Sequence, residues 1–317
     1  MELEKVDSFI AGEATPPVDG EYGEKIDPRT NAPMKRVAQS NERDVDRAIA
    51  AAAAAQSAWA DLRPAHRGRI LVDVGRAVRA NAKRLGDIES RETGKPGHEM
   101  PTLIDLVAEF FEYFGGITNA VDGELLDEGP NYHVYTQRHP YGVVGVILPW
   151  NAPLHQAARA IAPALAAGNG VVAKPSEHTP GSLVELARIA VEAGLPPGLF
   201  NVIVGRGRVV GPAMVANPAV GKISLTGSVR GGQGLGRLAD GPMRAGDGAP
   251  RMELARGRQF DPQLLDLVEE RVVLLRARHR AALHLRRQRR GIGAVGQLAC
   301  GVDHVATQVQ RLRGRVQ

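Results

Sequence analysis

Residues 139–177 constrain the fold of this chain more tightly than any other stretch. Two short apolar runs, 143–148 and 171–173, each stop at a proline, Pro149 and Pro175, with a polar residue beside it. Val and Ile lose side-chain freedom in a helix and pack well on a pleated surface, so both runs read as buried strands. Between them, 154–167 is rich in Ala and Leu, has helical length and ends at Gly168, the residue type that closes helices. Pro163 inside it is expected to kink that helix. Strand, helix and strand in this order form a βαβ unit, which implies a parallel sheet covered by helices. Asn151, Lys174, Ser176 and Glu177 then follow the strand ends, the edge at which open α/β sheets bind ligands. They are equally the polar residues of ordinary loops, and their types alone leave both readings open.

At 317 residues the chain can form one large or two ordinary domains. A hydrophobic fraction of 43% with 24% charged residues is that of a soluble globular protein. No apolar run approaches the ~18–20 residues that span a membrane, and the first residues lack the basic and apolar segments of a signal peptide. The one cysteine, Cys300, cannot form an intrachain disulfide, and a cytoplasmic location is the expectation. The charge is unevenly placed. Residues 251–317 hold 14 Arg, no Lys and six acidic residues, a net +8, while residues 1–250 sum to −3.

Residues 7–38 read as an irregular arm or short strands. Asn41 is placed to cap a helix that runs to Trp59. Ile70, Leu71, Val74, Val78 and Leu85 keep a helical spacing across 66–88, and apolar residues do so again across 101–115. Val134, Tyr135 and Thr136 suit a strand, with a turn at Gly129-Pro130-Asn131. After 177, a helix over 182–193, a strand over 200–204, a short helix to Val215 and a strand over 222–225 complete an α/β pattern.

Pro149-Trp150-Asn151 and Lys174-Pro175-Ser176-Glu177 resemble motifs of the NAD(P)-dependent aldehyde dehydrogenase superfamily. So do Glu92-Thr93-Gly94-Lys95-Pro96 before them and Leu225-Thr226-Gly227-Ser228 after them. The four are in order and sensibly spaced, and the resemblance runs from about residue 7 to about 240. It implies an α/β fold, a Rossmann-like parallel sheet with helices on both faces, in an NAD-binding domain over 1–250. It also implies a projecting β-hairpin over 122–140 through which subunits associate, and hence a homo-oligomer.

The usual G-x-G-x-x-G is absent: Gly205 and Gly207 are followed by Gly211, and the glycine-rich run 231–236 also misses the pattern. The resemblance instead implies that Gly227 and Ser228 meet the pyrophosphate at a helix start, with Gly207 nearby. Lys174 and Glu177, with Ser176 between them, would bind the adenosine ribose, and Trp150 would touch the cofactor through its backbone. A core aromatic is the alternative for Trp150. A carboxylate at 177 repels a 2′-phosphate, which favours NAD, while Lys174 leaves NADP possible.

The implied reaction is oxidation of a small-molecule aldehyde to its carboxylic acid, through a cysteine thiohemiacetal and thioester. Asn151 matches the oxyanion donor, with a cap of the following helix as its alternative. Glu253, in Met252-Glu253-Leu254, matches the general base, although Ala255-Arg256-Gly257 follows where the family has Gly-Gly-Lys. Cys300 matches the nucleophile, with two residues rather than one after Gln297; a small core residue is its alternative. Residues 251–317 therefore read as a remnant of, or replacement for, the catalytic domain. Seven Arg in 276–290 lack interleaved aromatics and read as a solvated tail, with no nucleic-acid partner. His279, His284 and Cys300 lack metal-ligand spacing. The run from His284 to Arg290 is also what GC-rich codons for Ile-Phe-Ala-Ala-Ser-Gly give one base out of phase. A non-catalytic homologue that binds NAD, or pairs with a full-length subunit, is the alternative function.

Overall fold

The computed structural model describes residues 3–127, 132–239, 251–254 and 268–276, the last two segments as backbone. Most of the Arg-rich tract, the turn at 129–131 and Cys300 lie outside these residues. The chain divides into two compact units, Met1–Gly123 with Gln137–Arg271, and Glu124–Thr136 with Val272–Gln317.

The larger unit begins with five short strands: β1 (Lys5–Val6), β2 (Ser8–Ile10), β3 (Glu13–Thr15), β4 (Tyr22–Ile26) and β5 (Pro33–Ala38). Helix α1 (Glu42–Asp61) starts at Asn41, whose side chain accepts from Arg43 N and Asp44 N while Asp44 Oδ2 accepts from Asn41 N at 3.0 Å. Such a reciprocal cap satisfies donors that no helical carbonyl can reach, and losing it costs about 0.5–2 kcal/mol. The periodic stretch 66–88 is not one helix but parts of two, α2 (Pro64–Ala80) and α3 (Ala82–Thr93). They part at Asn81, whose side-chain amide donates to Ala77 O at 2.9 Å and competes with the backbone for that carbonyl. Helix α4 (Met100–Gly116) buries Ile104, Val107, Ala108 and Phe111 along one stripe.

In the smaller unit, β6 (Leu125–Leu126) pairs antiparallel with the first part of β7 (Tyr132–Pro140). Glu124 N donates to Thr136 Oγ1 and Thr136 N to Glu124 O, both at 2.8 Å, which closes the hairpin's open end.

The expected βαβ unit is present as β8 (Val143–Ile147), α5 (Pro153–Ala166) and β9 (Gly170–Lys174). Helix α5 continues past Pro163, and Ala167 N still donates to Pro163 O at 3.0 Å. There follow α6 (Gly181–Glu192), β10 (Phe200–Val202), α7 (Gly207–Ala216), β11 (Val220–Leu225), α8 (Val229–Ala239), β12 (Arg251–Leu254) and β13 (Val268–Arg276). The main sheet has seven strands in the order β12-β11-β8-β9-β10-β2-β3. The first five are parallel. Strands β2 and β3 extend the sheet antiparallel beyond β10, so it is mixed rather than purely parallel.

Both faces of the sheet are covered, which is why its strands read as near-continuous apolar runs. Val144, Val146, Val171 and Ala173 join one core with residues of α4, α5 and α6. Val143, Ile147 and Val172 join a second core with Val45, Ala48, Ile49 and Ala52 of α1 and Val210 and Met214 of α7. The alternation along each strand is the pleat itself, with successive side chains on opposite faces. Trp59 is fully buried and its indole N–H donates to Leu165 O at 2.8 Å. Burying such a ring contributes on the order of 1.5–3 kcal/mol.

Candidate functional site

Because β12, β11, β8, β9 and β10 run parallel, their C-terminal ends share one edge. Pairing continues just past those ends: Leu148 N donates to Lys174 O, Thr226 N to Ile147 O, and Ile203 N to Ala173 O, at 2.9–3.0 Å. Strand β8 is where the connections diverge. Helix α5 carries the chain to β9 on one side of it, and α7 brings the chain back to β11 on the other. Loops that leave a sheet edge in opposite directions open a crevice between them.

Lys174 closes β9, and its side chain is 4% exposed. Its Nζ lies 3.2 Å from Glu177 Oε2, the one ion pair it makes among the described residues. Burial pulls the Lys174 ammonium below its usual pKa range, and Glu177 opposes that. Burial pushes the Glu177 carboxyl up, but Lys174 and Glu177's own backbone N–H outweigh it and leave the group below its usual range. The pair sets an acceptor beside a donor with hydrogens to spare.

Gly207, the first residue of α7, faces this pair: a Cβ built on it would lie 3.6 Å from Lys174 Nζ. The space above the ammonium is therefore kept free of side chain by a glycine. Ser176 is buried, and its Oγ accepts from His178 N at 3.3 Å, so it shapes the loop between Lys174 and α6. Ser228 precedes α8 and its Oγ accepts from Gly231 N at 3.1 Å, while Ser228 O accepts from Gly232 N at 3.0 Å. Gly227 and Ser228 are exposed, as a group meeting a ligand must be.

Trp150 is 59% exposed, which corrects the alternative of a core aromatic. Asn151 is exposed too. It does not cap α5: the N-cap position is Ala152, with no side-chain cap bond. Glu253 lies in β12 opposite Ser224 of β11, one residue short of the strand's end. The structure thus brings Lys174, Glu177 and Gly207 together, and sets Trp150, Asn151, Gly227, Ser228 and Glu253 along the same edge.

Two groups with no role in the sequence reading also serve this edge. Glu89 and Glu92 of α3 are buried, and burial raises both carboxyls above their usual range despite nearby lysines and N–H donors. Glu89 Oε2 accepts from Leu154 N at 3.1 Å, in the first turn of α5, and Glu92 Oε2 from Gly181 N at 2.9 Å, at the start of α6. Glu92 opens the Glu-Thr-Gly-Lys-Pro motif, while nothing local marks Glu89. An acidic residue on a helix otherwise reads as solvated.

Among the described residues there is no group of three His, Cys, Asp or Glu that could hold a metal ion, and no helix long and apolar enough to cross a membrane.

Residues 16–245 match the aldehyde dehydrogenase family. Acetaldehyde dehydrogenase 2 of Cupriavidus necator is 39% identical over 231 residues, which cover 73% of this chain and 46% of that protein. The crystal structure of a putative aldehyde dehydrogenase from Burkholderia cenocepacia is similar with a TM-score of 0.74 and 35% identity, over 78% of this chain and 50% of that one. An NAD+ complex of an aldehyde dehydrogenase from Bacillus cereus is similar with a TM-score of 0.73 and 32% identity, over 75% and 49%. The chain thus spans about half the length of these relatives. Together with the parallel edge and its motifs in register, the match over 16–245 shows that the chain belongs to the aldehyde dehydrogenase family.

Proposed function

We propose that this chain binds NAD along the edge of β11, β8, β9 and β10, and that its reaction is oxidation of an aldehyde to the carboxylic acid. The observation that carries the reading is the buried Lys174, paired with Glu177 beneath the bare Gly207. The pair offers donor and acceptor to the adenosine ribose hydroxyls. The start of α8, which directly follows Gly227 and Ser228, offers a helix N-terminus to a pyrophosphate. The Bacillus cereus relative, solved with NAD+, supports this choice of ligand. The Glu177 charge disfavours a 2′-phosphate, which favours NAD over NADP.

NAD, when bound, supplies the acceptor for the hydride of the aldehyde carbon. The chain's own groups do the rest. The Cys300 thiolate bonds to the carbonyl carbon as the second C=O pair moves onto oxygen, and the Asn151 amide donates to that oxygen. Removing one such donor costs on the order of 10²–10³ in rate. Loss of the hydride leaves a thioester. Glu253 takes a proton from water, whose oxygen displaces the sulfur and releases the acid. Copies of the chain associate through the β6–β7 hairpin.

A second reading has a specific motive. The family pattern breaks at Ala255 and again at Leu298-Ala299, which favours a homologue that binds NAD without turnover. Absorbance of NADH, formed with several aliphatic and aromatic aldehydes, separates the two. Turnover abolished by Cys300→Ala supports the enzyme; NAD binding without turnover supports the second reading; no NAD binding sinks both.

A further inference from the structure

The bonds made by Glu89 and Glu92 have a shared geometry. The two residues are three apart on α3, one helical turn, and each reaches the first turn of a different helix. Each of those helices follows a loop of the proposed site. Residues 148–152 carry Trp150 and Asn151 into α5, and residues 175–180 carry Ser176 and Glu177 into α6. Both carboxylates are buried, 2% and 3% exposed, so water does not compete for their acceptors.

Each carboxylate is also held in place. Lys95 Nζ lies 3.5 Å from Glu89 Oε1, and Lys35 Nζ 3.6 Å from Glu92 Oε1. Buried Lys25 donates to the backbone carbonyl of Glu92 at 3.1 Å and to that of Ile26 at 3.2 Å, pinning the last turn of α3 to β4. The start of α6 comes so close that a Cβ on Gly181 would lie 2.5 Å from Glu92 Oε1. One N–H at the start of each helix, that of Leu154 in α5 and that of Gly181 in α6, is taken by the protein's own carboxylates.

We propose that Glu89 and Glu92 are positioning residues, which through one rigid helix fix the spacing between the loop bearing Asn151 and the loop bearing Glu177. The proposal rests on the reading of this edge as an NAD site, and its first test needs no ligand.

Amide hydrogen exchange of the full chain is compared among wild type, Glu89→Ala and Glu92→Ala, with Glu89→Gln and Glu92→Gln as conservative variants that keep an acceptor oxygen. Exchange is expected to quicken ~10-fold or more at 149–154 alone in Glu89→Ala, and at 176–181 alone in Glu92→Ala. The Gln variants show the same crossed pattern at smaller size, and they carry the test where an Ala variant fails to fold. NAD titration then reads the function: Glu92→Ala weakens binding ~10-fold and Glu92→Gln restores most of it, whereas Glu89→Ala leaves affinity for AMP unchanged and shifts Trp150 emission. Equal loosening of both loops by either variant, or no change in either, overturns the proposal. A crossed exchange pattern in a protein that binds no NAD keeps the clamp and overturns the NAD reading instead.

Discussion

The Lys174 ammonium and the Glu177 carboxylate, 3.2 Å apart, join the last residue of a buried strand to a loop residue about one-third exposed. One partner is fixed by the core and the other is partly exposed, so the buried ammonium anchors a carboxylate that solvent can reach. Replacing Lys174 with Met keeps the stem and removes the charge. NAD affinity is expected to fall ~10- to 100-fold, because a charged hydrogen bond is lost and Glu177 loses its anchor. Calorimetric titration of the variant checks this, and unchanged affinity would put the dinucleotide elsewhere.

Glu177→Gln should move the cofactor preference. Without the carboxylate charge, the ratio of NADP to NAD affinity is expected to rise by about tenfold, since a 2′-phosphate no longer meets a like charge. Competition between the two dinucleotides measures the ratio directly. No change would mean that Glu177 does not meet the ribose.

Gly207 tests the space above Lys174. A methyl group at 3.6 Å is ordinary contact, so Gly207→Ala should leave folding and NAD binding nearly unchanged. Gly207→Val places further carbons over the ammonium and should weaken NAD ~10-fold, with thermal stability little altered. Equal binding by Val and wild type would show that nothing enters there.

At Gly181 the same substitution has the opposite standing. A methyl 2.5 Å from Glu92 Oε1 forces the helix start or the carboxylate to move. Gly181→Ala is expected to cost about 1–3 kcal/mol, the range for overpacking a dense interior. Urea unfolding monitored by circular dichroism gives the value.

Stability should carry the mark of Glu92 in its pH dependence. Burial raises this carboxyl above the ordinary 4.5, with Lys35 and Gly181 N opposing. The folded state then holds the proton to higher pH than the unfolded chain does. The contribution of Glu92 is thus most favourable below pH 4.5 and declines as pH rises through the folded value. Glu92→Gln has no such decline. The melting temperature of the variant minus that of wild type should become more positive from pH 4.5 upward. A difference that stays constant would refute the raised pKa.

The βαβ unit was legible because β-branched runs, a helical segment and closing glycines and prolines agree in 143–174. Asn41 was legible for the same reason, a cap residue before an acidic first turn. The break at Asn81 was not, since Val78 and Leu85 keep a helical spacing across it. Strands β2 and β3 have three residues each, too short to show a period, so their place in the sheet was hidden. Lys174 and Glu177 could be picked out through the family motif, but not the burial that makes one of them rigid. Glu89 and Glu92 escaped because their partners are backbone amides 65 and 89 residues away, a relation that no local pattern contains.

The order of the sheet also sets a schedule for synthesis. Strand β8 gains β9 soon after it is made, but its other neighbour, β11, begins only at Val220. At ~5–20 residues per second, translation leaves that edge of β8 open for roughly 4–15 s. Phe9 waits longer still for Val202, its partner in β10, which is made 193 residues later. A nascent strand that is apolar on both faces and unpaired along one edge is a template for another chain. The site edge is therefore assembled late, and a ribosome-bound chain stopped before β11 is expected to be the form that most needs a chaperone.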